Sequence, residues 1–167
     1  LNAKCIAVQC NGKGVAVDLD CRKLPRRVTG SHLLLAVGRR PNTDDLGLEA
    51  AGVATDERGY IQVDEQLRTN MPCIWAIGDC TDGPWLAHKA SHEGVTTAEA
   101  IAKDLGNAEV HPHALDRRNI PGCTYCHPQI ASVGMTEAKA KEAGHEVKVG
   151  NFPFIGNGKA IALGEAE

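Results

Sequence analysis

Residues 69–79 (TNMPCIWAIGD) constrain the fold most, because they combine a turn, a short apolar run and a glycine followed by a carboxylate. Pro72 favours an extended entry, and the apolar residues 74–77 are typical of a central strand covered on both faces. Gly78 lets the backbone approach a ligand closely. Asp79 then follows at the carboxyl end of the predicted strand, where open α/β sheets bind ligands. We therefore predict that Asp79 accepts hydrogen bonds from sugar-like hydroxyl groups, although a Gly-Asp dipeptide alone is more typical of an ordinary turn.

A long amphipathic helix is predicted after this strand. Residues 86–105 keep one face small or apolar at helical spacing, and Gly106 is a typical helix end. That face consists of Leu86, Ala90, Gly94, Ala98, Ile101 and Leu105. Because the first N–H groups of a helix have no partner inside it, residues 84–88 (PWLAH) suit an electron-rich oxygen. A helix start in an ordinary loop is the plainer interpretation of the same residues.

The amino-terminal part of the chain predicts a hairpin and a buried strand. Residues 5–10 and 15–19 form two short strands, and residues 11–14 (NGKG) between them contain an Asn-Gly turn signal. A polar stretch follows. Residues 32–37 (HLLLAV) are then apolar after His32, which is typical of a parallel strand buried on both faces.

Two short elements and a polar stretch are predicted in the middle of the chain. Residues 46–51 predict a short helix that ends at Gly52, and residues 60–63 predict a strand of alternating pattern. Residues 107–119 are polar and contain a His-Pro-His sequence. We therefore expect a linker between domains at 107–119.

The last fifty residues predict a small module of mixed structure. Strands are expected near residues 123–125, at 130–133 and at 147–152. Thr136 is a suitable N-cap for a helix over residues 137–143, which carries a glutamate in its first turn. The order strand, strand, helix, strand indicates an α+β arrangement.

Charge and composition argue against polyanion and membrane partners. The net charge is −3 and the chain has only two each of Phe, Trp and Tyr, which is little material for a nucleic-acid platform. No apolar run approaches the roughly 18 residues of a membrane span. Seven cysteines at irregular spacing cannot all pair internally. A reduced, cytoplasmic compartment is therefore favoured over a disulfide framework.

Residues 69–79 resemble the second flavin-binding motif of the pyridine nucleotide-disulfide oxidoreductases, and further matches follow in the order of that family. They are residues 37–43 (VGRRPNT), 86–90 (LAHKA) with Glu93 and Gly94, then Pro121, Tyr125, His127, Pro128, Val133, Gly134, Thr136 and Glu137, and finally 152–154 (FPF) and 157–160 (NGKA). The resemblance covers about residues 30–167. The form of residues 88–90 (HKA) most resembles the branch of the family that oxidises dihydrolipoamide.

The resemblance implies an α/β chain in three parts. Residues 1–40 would be the end of a nicotinamide-binding domain, and residues 41–117 the second part of a Rossmann-like FAD-binding domain. Residues 118–167 would be the start of an α+β dimerisation domain. The implied cofactors are FAD and NAD.

Several cofactor-binding residues follow from the resemblance. They are Asp79, Trp85, Leu86, Ala87, His88 and Gly38. Asp79 would hold the ribityl chain of FAD, and the backbone N–H groups of residues 85–88 would face the pyrimidine edge of the flavin. Gly38 would lie close to the nicotinamide nucleotide. Trp85 departs from the family pattern, in which a methionine or another flexible residue is more common.

The implied activity passes two electrons from dihydrolipoamide, through an active-site disulfide and FAD, to NAD⁺. The enzyme would be a homodimer, with its substrate carried by an acyltransferase component of 2-oxo acid dehydrogenase complexes. The family's glycine loops, paired redox cysteines and catalytic histidine-glutamate pair have no counterpart in these 167 residues. We therefore interpret the chain as an internal part of a longer enzyme, and expect it to contain no catalytic residue, to bind no metal and to have no turnover alone.

Other interpretations stay open at this point. A related flavin-dependent reductase of mercuric ion or glutathione disulfide would share the Gly-Asp motif, as would a non-enzymatic dimerising module derived from the family. Cys123 and Cys126 have the spacing of a redox or metal half-site beside His127, but a strand at this position favours ordinary packing. Arg39 and Arg40 could seat phosphates, although paired arginines are more typical of a solvated surface.

Overall fold

The computed structural model describes residues 3–21 and 26–166, and its contacts divide the chain into two compact units, Leu1–Arg40 and Pro41–Glu167. The described residues contain both helices and sheets, in keeping with the α/β class. Each unit is considered by itself.

The first unit contains an antiparallel three-stranded sheet in the order β1 (Lys4–Cys10), β2 (Val15–Asp20) and β3 (Arg27–Gly30). The predicted hairpin is confirmed, because the first two strands pair directly and Gly12 in the turn has a φ of +76°. The third strand was not predicted, since it lies in a polar stretch. It pairs with the central strand through Val17 opposite Val28.

The predicted buried strand at residues 32–37 is wrong. These residues are irregular and exposed, with Leu34 at 87% and Val37 at 86% exposure. A parallel strand needs neighbours on both edges to complete its hydrogen bonds and cover its apolar side chains. No strand among residues 3–21 and 26–166 supplies such a neighbour.

The second unit has a small apolar core of Val53, Ile61 and Ala76. The side chains packed against this core are Leu48, Val63, Met71 and Cys80. Residues 46–51 form a single turn instead of the predicted helix. The turn nevertheless ends as expected at Gly52, whose φ is +72°: its N–H donates to the carbonyl of Glu49, and Val53 N–H donates to the carbonyl of Leu48.

Isolated bridges replace the two strands predicted beside this core. Thr55 pairs with Ile61, and Arg68 pairs with Trp75. The expected covering of residues 74–77 on both faces is also wrong, because Ile74 and Ile77 are 37% and 40% exposed. A central strand is covered only when strands lie on both of its edges. Among the described residues, 74–77 have only the isolated bridge between Arg68 and Trp75.

The helix predicted over residues 86–105 is confirmed as α1 (Ala87–Asp104). Gly106 follows the C-cap residue Leu105, as the predicted helix end requires, with a φ of +97° and its N–H donating to the carbonyl of Lys103. Its buried face differs from the predicted small and apolar one. The buried residues are Lys89, Glu93, Thr96, Thr97 and Ala100.

The last part of the second unit contains short elements. The predicted strand pair is present as β4 (Gly122–Thr124) and β5 (Ile130–Ser132), which are antiparallel. The helix α2 (Glu137–Glu142) is capped as predicted by Thr136, whose side chain accepts from Lys139 N–H. A further helix, α3 (Gly158–Leu163), begins after Asn157 and was not predicted.

The strand predicted at residues 147–152 is wrong, because these residues are irregular and Phe152 is 75% exposed. No strand of the described chain lies beside them to pair with. None of the helices in the described ranges is long and apolar enough to cross a membrane.

Candidate functional site

Gly78 and Asp79 begin a single 3-10 turn, Gly78–Cys80, that packs against α1. Gly78 is buried and has a φ of +79°, a left-handed conformation that side chains disfavour. A Cβ atom added there would lie 3.5 Å from the Cβ of Ala90, an ordinary contact, so backbone conformation and not space selects glycine. Asp79 is exposed. The turn thus fixes the backbone on the helix while presenting the carboxylate at the surface.

The start of α1 lacks an internal cap. The N-cap residue is Leu86, whose apolar side chain caps none of the first N–H groups, and the first turn contains no acidic residue. The first N–H groups of a helix have no partner inside it and carry a positive partial charge. With no carboxylate of the first turn competing for them, these donors suit an electron-rich atom of a ligand.

Trp85, just before the N-cap, is held by stacking, hydrogen bonding and a cation. Its ring stacks on Tyr60 with centroids 5.1 Å apart and an interplanar angle of 16°. Its Nε1–H donates to the carbonyl of Thr81 over 3.1 Å. The guanidinium of Arg58 lies 5.8 Å from the Trp85 ring centroid and 5.3 Å from that of Tyr60. These contacts fix the entry to the helix.

Lys89 and Glu93 form a buried ion pair, with Nζ 2.8 Å from Oε1. The other carboxylate oxygen of Glu93 accepts from Gly78 N–H over 2.7 Å. Lys89 donates to the carbonyl of Gly78 at 3.3 Å, to Thr81 Oγ1 at 3.2 Å and to the carbonyl of Asp82 at 2.9 Å. The pair therefore joins α1 to residues 78–82, which we call the 78–82 loop.

Sequence reasoning missed this ion pair. Lys and Glu four residues apart on a helix are the ordinary pattern of an exposed surface pair. Charged side chains are almost never fully buried unless they are paired. One available signal was that Lys89 and Glu93 stand beside small residues, Ala90 and Gly94, which leave room for a close neighbour.

Cys80, next to Asp79 in the same loop, is partly buried against the apolar core. Burial is the main reason that the pKa of its thiol lies above the ordinary value, because removal from water disfavours the thiolate. The thiol donates to the carbonyl of Ile77 over 3.2 Å. Cys80 is therefore a neutral packing group at neutral pH.

Side-chain hydrogen bonds of His88 and Arg117 connect this region with the final part of the chain. His88 Nε2 lies 2.9 Å from the carbonyl oxygen of Pro121. Arg117 donates to the carboxylate of Asp82 at 3.0 Å and to the carbonyl of Gly83 at 2.9 Å. The helix start and the 78–82 loop are thus each bonded to residues that lie beyond α1.

An open cavity of about 1090 Å³ lies near this region. Its lining includes Tyr60, Asp64, Glu93 and Arg118 but not Asp79. The candidate site is consequently defined by the loop and the helix start and not by this cavity.

The remaining sequence-predicted residues lie elsewhere. Gly38 belongs to the first unit, where it is exposed with a φ of +106°. Cys123 and Cys126 are exposed, and none of the seven cysteines, all within the described ranges, forms a disulfide. The described residues contain no group of three or more His, Cys, Asp or Glu side chains placed to hold a metal ion.

Comparison with known families gives two matches along the chain. Residues 2–94 match the pyridine nucleotide-disulphide oxidoreductase family, and residues 120–167 match the pyridine nucleotide-disulphide oxidoreductase dimerisation domain. Together the two matches include the 78–82 loop, the start of α1 and residues 120–167.

Curated relatives are similar over most of the chain. A dihydrolipoyl dehydrogenase from Zymomonas mobilis is 55% identical over 137 residues, which are 82% of this chain and 28% of the relative. One from Bacillus subtilis is 44% identical over 166 residues, 99% of this chain and 34% of the relative. The chain thus spans about a third of the length of these relatives.

Two solved structures resemble the fold. LpdA from Mycobacterium tuberculosis has a TM-score of 0.82 and 30% identity, with 99% of this chain and 34% of that protein covered. The HOCl-induced flavoprotein disulfide reductase RclA from Escherichia coli has a TM-score of 0.79 and 29% identity, with 99% and 36% covered.

Proposed function

This chain belongs to the pyridine nucleotide-disulphide oxidoreductase family, and we propose that it forms the part of a dihydrolipoyl dehydrogenase that holds the ribityl chain and the pyrimidine edge of FAD. The observation that carries the proposal is the pairing of two elements. The 78–82 loop presents an exposed aspartate, and it is bonded to the first turns of a helix whose start no side chain caps.

The three parts of the chain have different roles in this proposal. Residues 1–40 end the nicotinamide-binding domain and bring Gly38 close to NAD. Residues 41–117 are the second part of the FAD-binding domain. Residues 118–167 begin the dimerisation domain, and the family match over residues 120–167 supports this assignment.

The donor set of the site fits a flavin. Asp79 is an acceptor for ribityl hydroxyl groups, which are neutral donors. The backbone N–H groups of residues 85–88 are donors for the oxygen-rich pyrimidine edge, and the positive end of α1 favours negative charge there. When bound, the flavin supplies two-electron transfer between a dithiol and a nicotinamide. This chain's part is to bind the flavin, orient it and stabilise the charge of its reduced form.

The activity proposed for the whole protein is the oxidation of dihydrolipoamide to its disulfide with reduction of NAD⁺ to NADH. The dithiol loses two electrons and two protons as its S–S bond forms. NAD⁺ takes up both electrons and one proton to become NADH, and the other proton is released. The similarity to dihydrolipoyl dehydrogenases supports this substrate. The proposal includes a cytoplasmic homodimer that receives its substrate from an acyltransferase component of 2-oxo acid dehydrogenase complexes.

Asp79→Asn in the complete flavoprotein tests the flavin site. A hydrogen bond to a charged group is worth about 1.5–3 kcal/mol and one to a neutral group about 0.5–1.5 kcal/mol, so loss of the charge, with the Asn oxygen still able to accept, should weaken flavin binding by about tenfold. Equilibrium dialysis against FAD measures the dissociation constant. The matched control is Asp82→Asn, an exposed change three residues along in the same loop, which should leave flavin affinity unchanged. Equal affinities in both variants and the unmodified protein would refute the role of Asp79.

Substrate comparison tests the activity. NADH formation from dihydrolipoamide and NAD⁺ is expected to be fast, and reduction of glutathione disulfide or mercuric ion slow. A faster reaction with either of the latter would assign the chain to a different reductase of the family. An absence of bound flavin in the purified protein, seen as a lack of visible absorbance, would identify a dimerising module without enzyme activity.

A further inference from the structure

The ion pair of Lys89 and Glu93 is almost fully removed from water, with side chains 0% and 2% exposed. We propose that this pair is a positioning device, which sets the place of Asp79 relative to the start of α1 and thereby aligns the ribityl-binding and pyrimidine-binding elements of the flavin site. The inference rests on the proposed function. Neither residue contacts the flavin in this proposal, and each acts through the backbone of the 78–82 loop.

The contacts of the pair are concentrated on one segment. Glu93 holds the N–H of Gly78, and Lys89 holds the carbonyl of the same residue. Lys89 also bonds to Thr81 and Asp82. Asp79 therefore lies between backbone groups that are tied on both sides to one turn of the helix. The hydroxyl of Thr81 closes the loop by donating to Gly78 O over 2.8 Å.

Stability alone does not account for such a pair. Removing two charges from water is costly, and apolar residues of similar volume commonly give equal or greater stability. What an apolar pair cannot do is hold backbone donors and acceptors at fixed points. A buried polar network whose members are all hydrogen-bonded makes its surroundings rigid, and in some proteins such groups select one defined conformation.

Another ion pair on α1 provides the comparison. Arg68 binds Asp104 at the opposite end of α1, with Nη2 2.8 Å from Oδ1, and has no contact with the 78–82 loop among the described residues. The Arg68–Asp104 pair therefore fastens α1 to the segment around residue 68 but not to the loop that carries Asp79. Its loss should lower stability without moving the flavin-binding elements.

The test uses three variants of the complete flavoprotein. Lys89→Met/Glu93→Gln keeps the net charge of the pair, and the Gln oxygen can still accept from Gly78 N–H, but the three loop contacts of Lys89 are lost. Thr81→Val is a milder change that keeps the ion pair and the side-chain volume, and it remains informative if the double variant folds poorly. Arg68→Met is the control for lost stability alone.

Three quantities are measured for each variant: the FAD dissociation constant, the reduction potential of the bound flavin and the urea midpoint. The double variant should raise the dissociation constant at least about tenfold and lower the potential, because a misaligned helix start stabilises the reduced flavin less. Thr81→Val should show the same two changes at smaller size. Arg68→Met should lower the urea midpoint while both flavin quantities stay unchanged.

Two results would overturn the inference. One is a double variant whose flavin affinity and potential equal those of the unmodified protein. The other is an Arg68→Met variant in which both quantities change as much as in the double variant, since flavin binding then follows stability and not position. Asp79→Asn separates this failure from that of the proposed function: if it weakens flavin binding, only the positioning role is wrong, and if it does not, the flavin site itself is wrong.

Discussion

Replacing Gly78 with alanine tests the conformation of the 78–82 loop directly. The residue has a φ of +79°, and a Cβ atom would meet only the Cβ of Ala90 at 3.5 Å. Crowding therefore adds nothing to the cost, and the left-handed backbone accounts for it. An L-residue in that conformation costs about 1–2 kcal/mol, which is a factor of about 5–30 in the ratio of folded to unfolded protein.

The control is Gly144→Ala after helix α2. Gly144 has a φ of +84°, and a Cβ atom there would have no neighbour within 4 Å. The two variants thus carry the same backbone strain, but only Gly78 is bonded to Lys89 and Glu93. Urea unfolding should show losses of similar size, about 1–2 kcal/mol. FAD titration should show weaker binding for Gly78→Ala alone.

The two assays together decide the argument. One contradicting result is a urea midpoint for Gly78→Ala equal to that of the unmodified protein, with a lower midpoint for Gly144→Ala. Gly78 would then not be held in a left-handed conformation in the folded protein. If Gly78→Ala is destabilised but binds FAD normally, the loop conformation does not matter for the flavin. Either result would refute the reasoning.

Two other predictions concern exposure. The raised pKa of Cys80 favours its neutral thiol in the folded state, so this contribution to stability is complete below the ordinary thiol pKa of about 8.5 and is lost as pH rises through the raised value. Iodoacetamide at pH of about 8.5 should therefore alkylate the exposed Cys73 well before Cys80, as read by peptide mass, and equal rates in the folded chain would contradict the burial.

The 167-residue chain by itself should self-associate, because Phe152, Phe154 and Ile155 are exposed together. Light scattering over a concentration series measures this, and a monomer mass throughout would show that these side chains are tolerated in water.

Local sequence signals predicted local structure well. The Asn-Gly turn, the cap at Thr136 and the long helix α1 are all present, because each depends on neighbours a few residues away. The family resemblance was also correct, since it rested on long ordered motifs. The residues assigned to FAD and NAD stay predictions.

Long-range features were harder to predict. Residues 32–37, 74–77 and 147–152 have the composition of strands, but a strand forms only where another offers its hydrogen-bonding edge, and composition carries no information about that partner. The buried face of α1 was missed for a related reason. Lys89 and Glu93 are stable inside because the 78–82 loop meets them, and their spacing alone indicates a surface pair.

Trp85 gives the helix start an optical reporter. The chain has only two tryptophans, Trp75 and Trp85, and Trp85 lies stacked on Tyr60 one residue before the N-cap of α1. A flavin absorbs in the range where indole emits, so a flavin bound at that helix start quenches the nearby ring by energy transfer. Intrinsic fluorescence therefore measures occupancy of the site during a titration without an added dye.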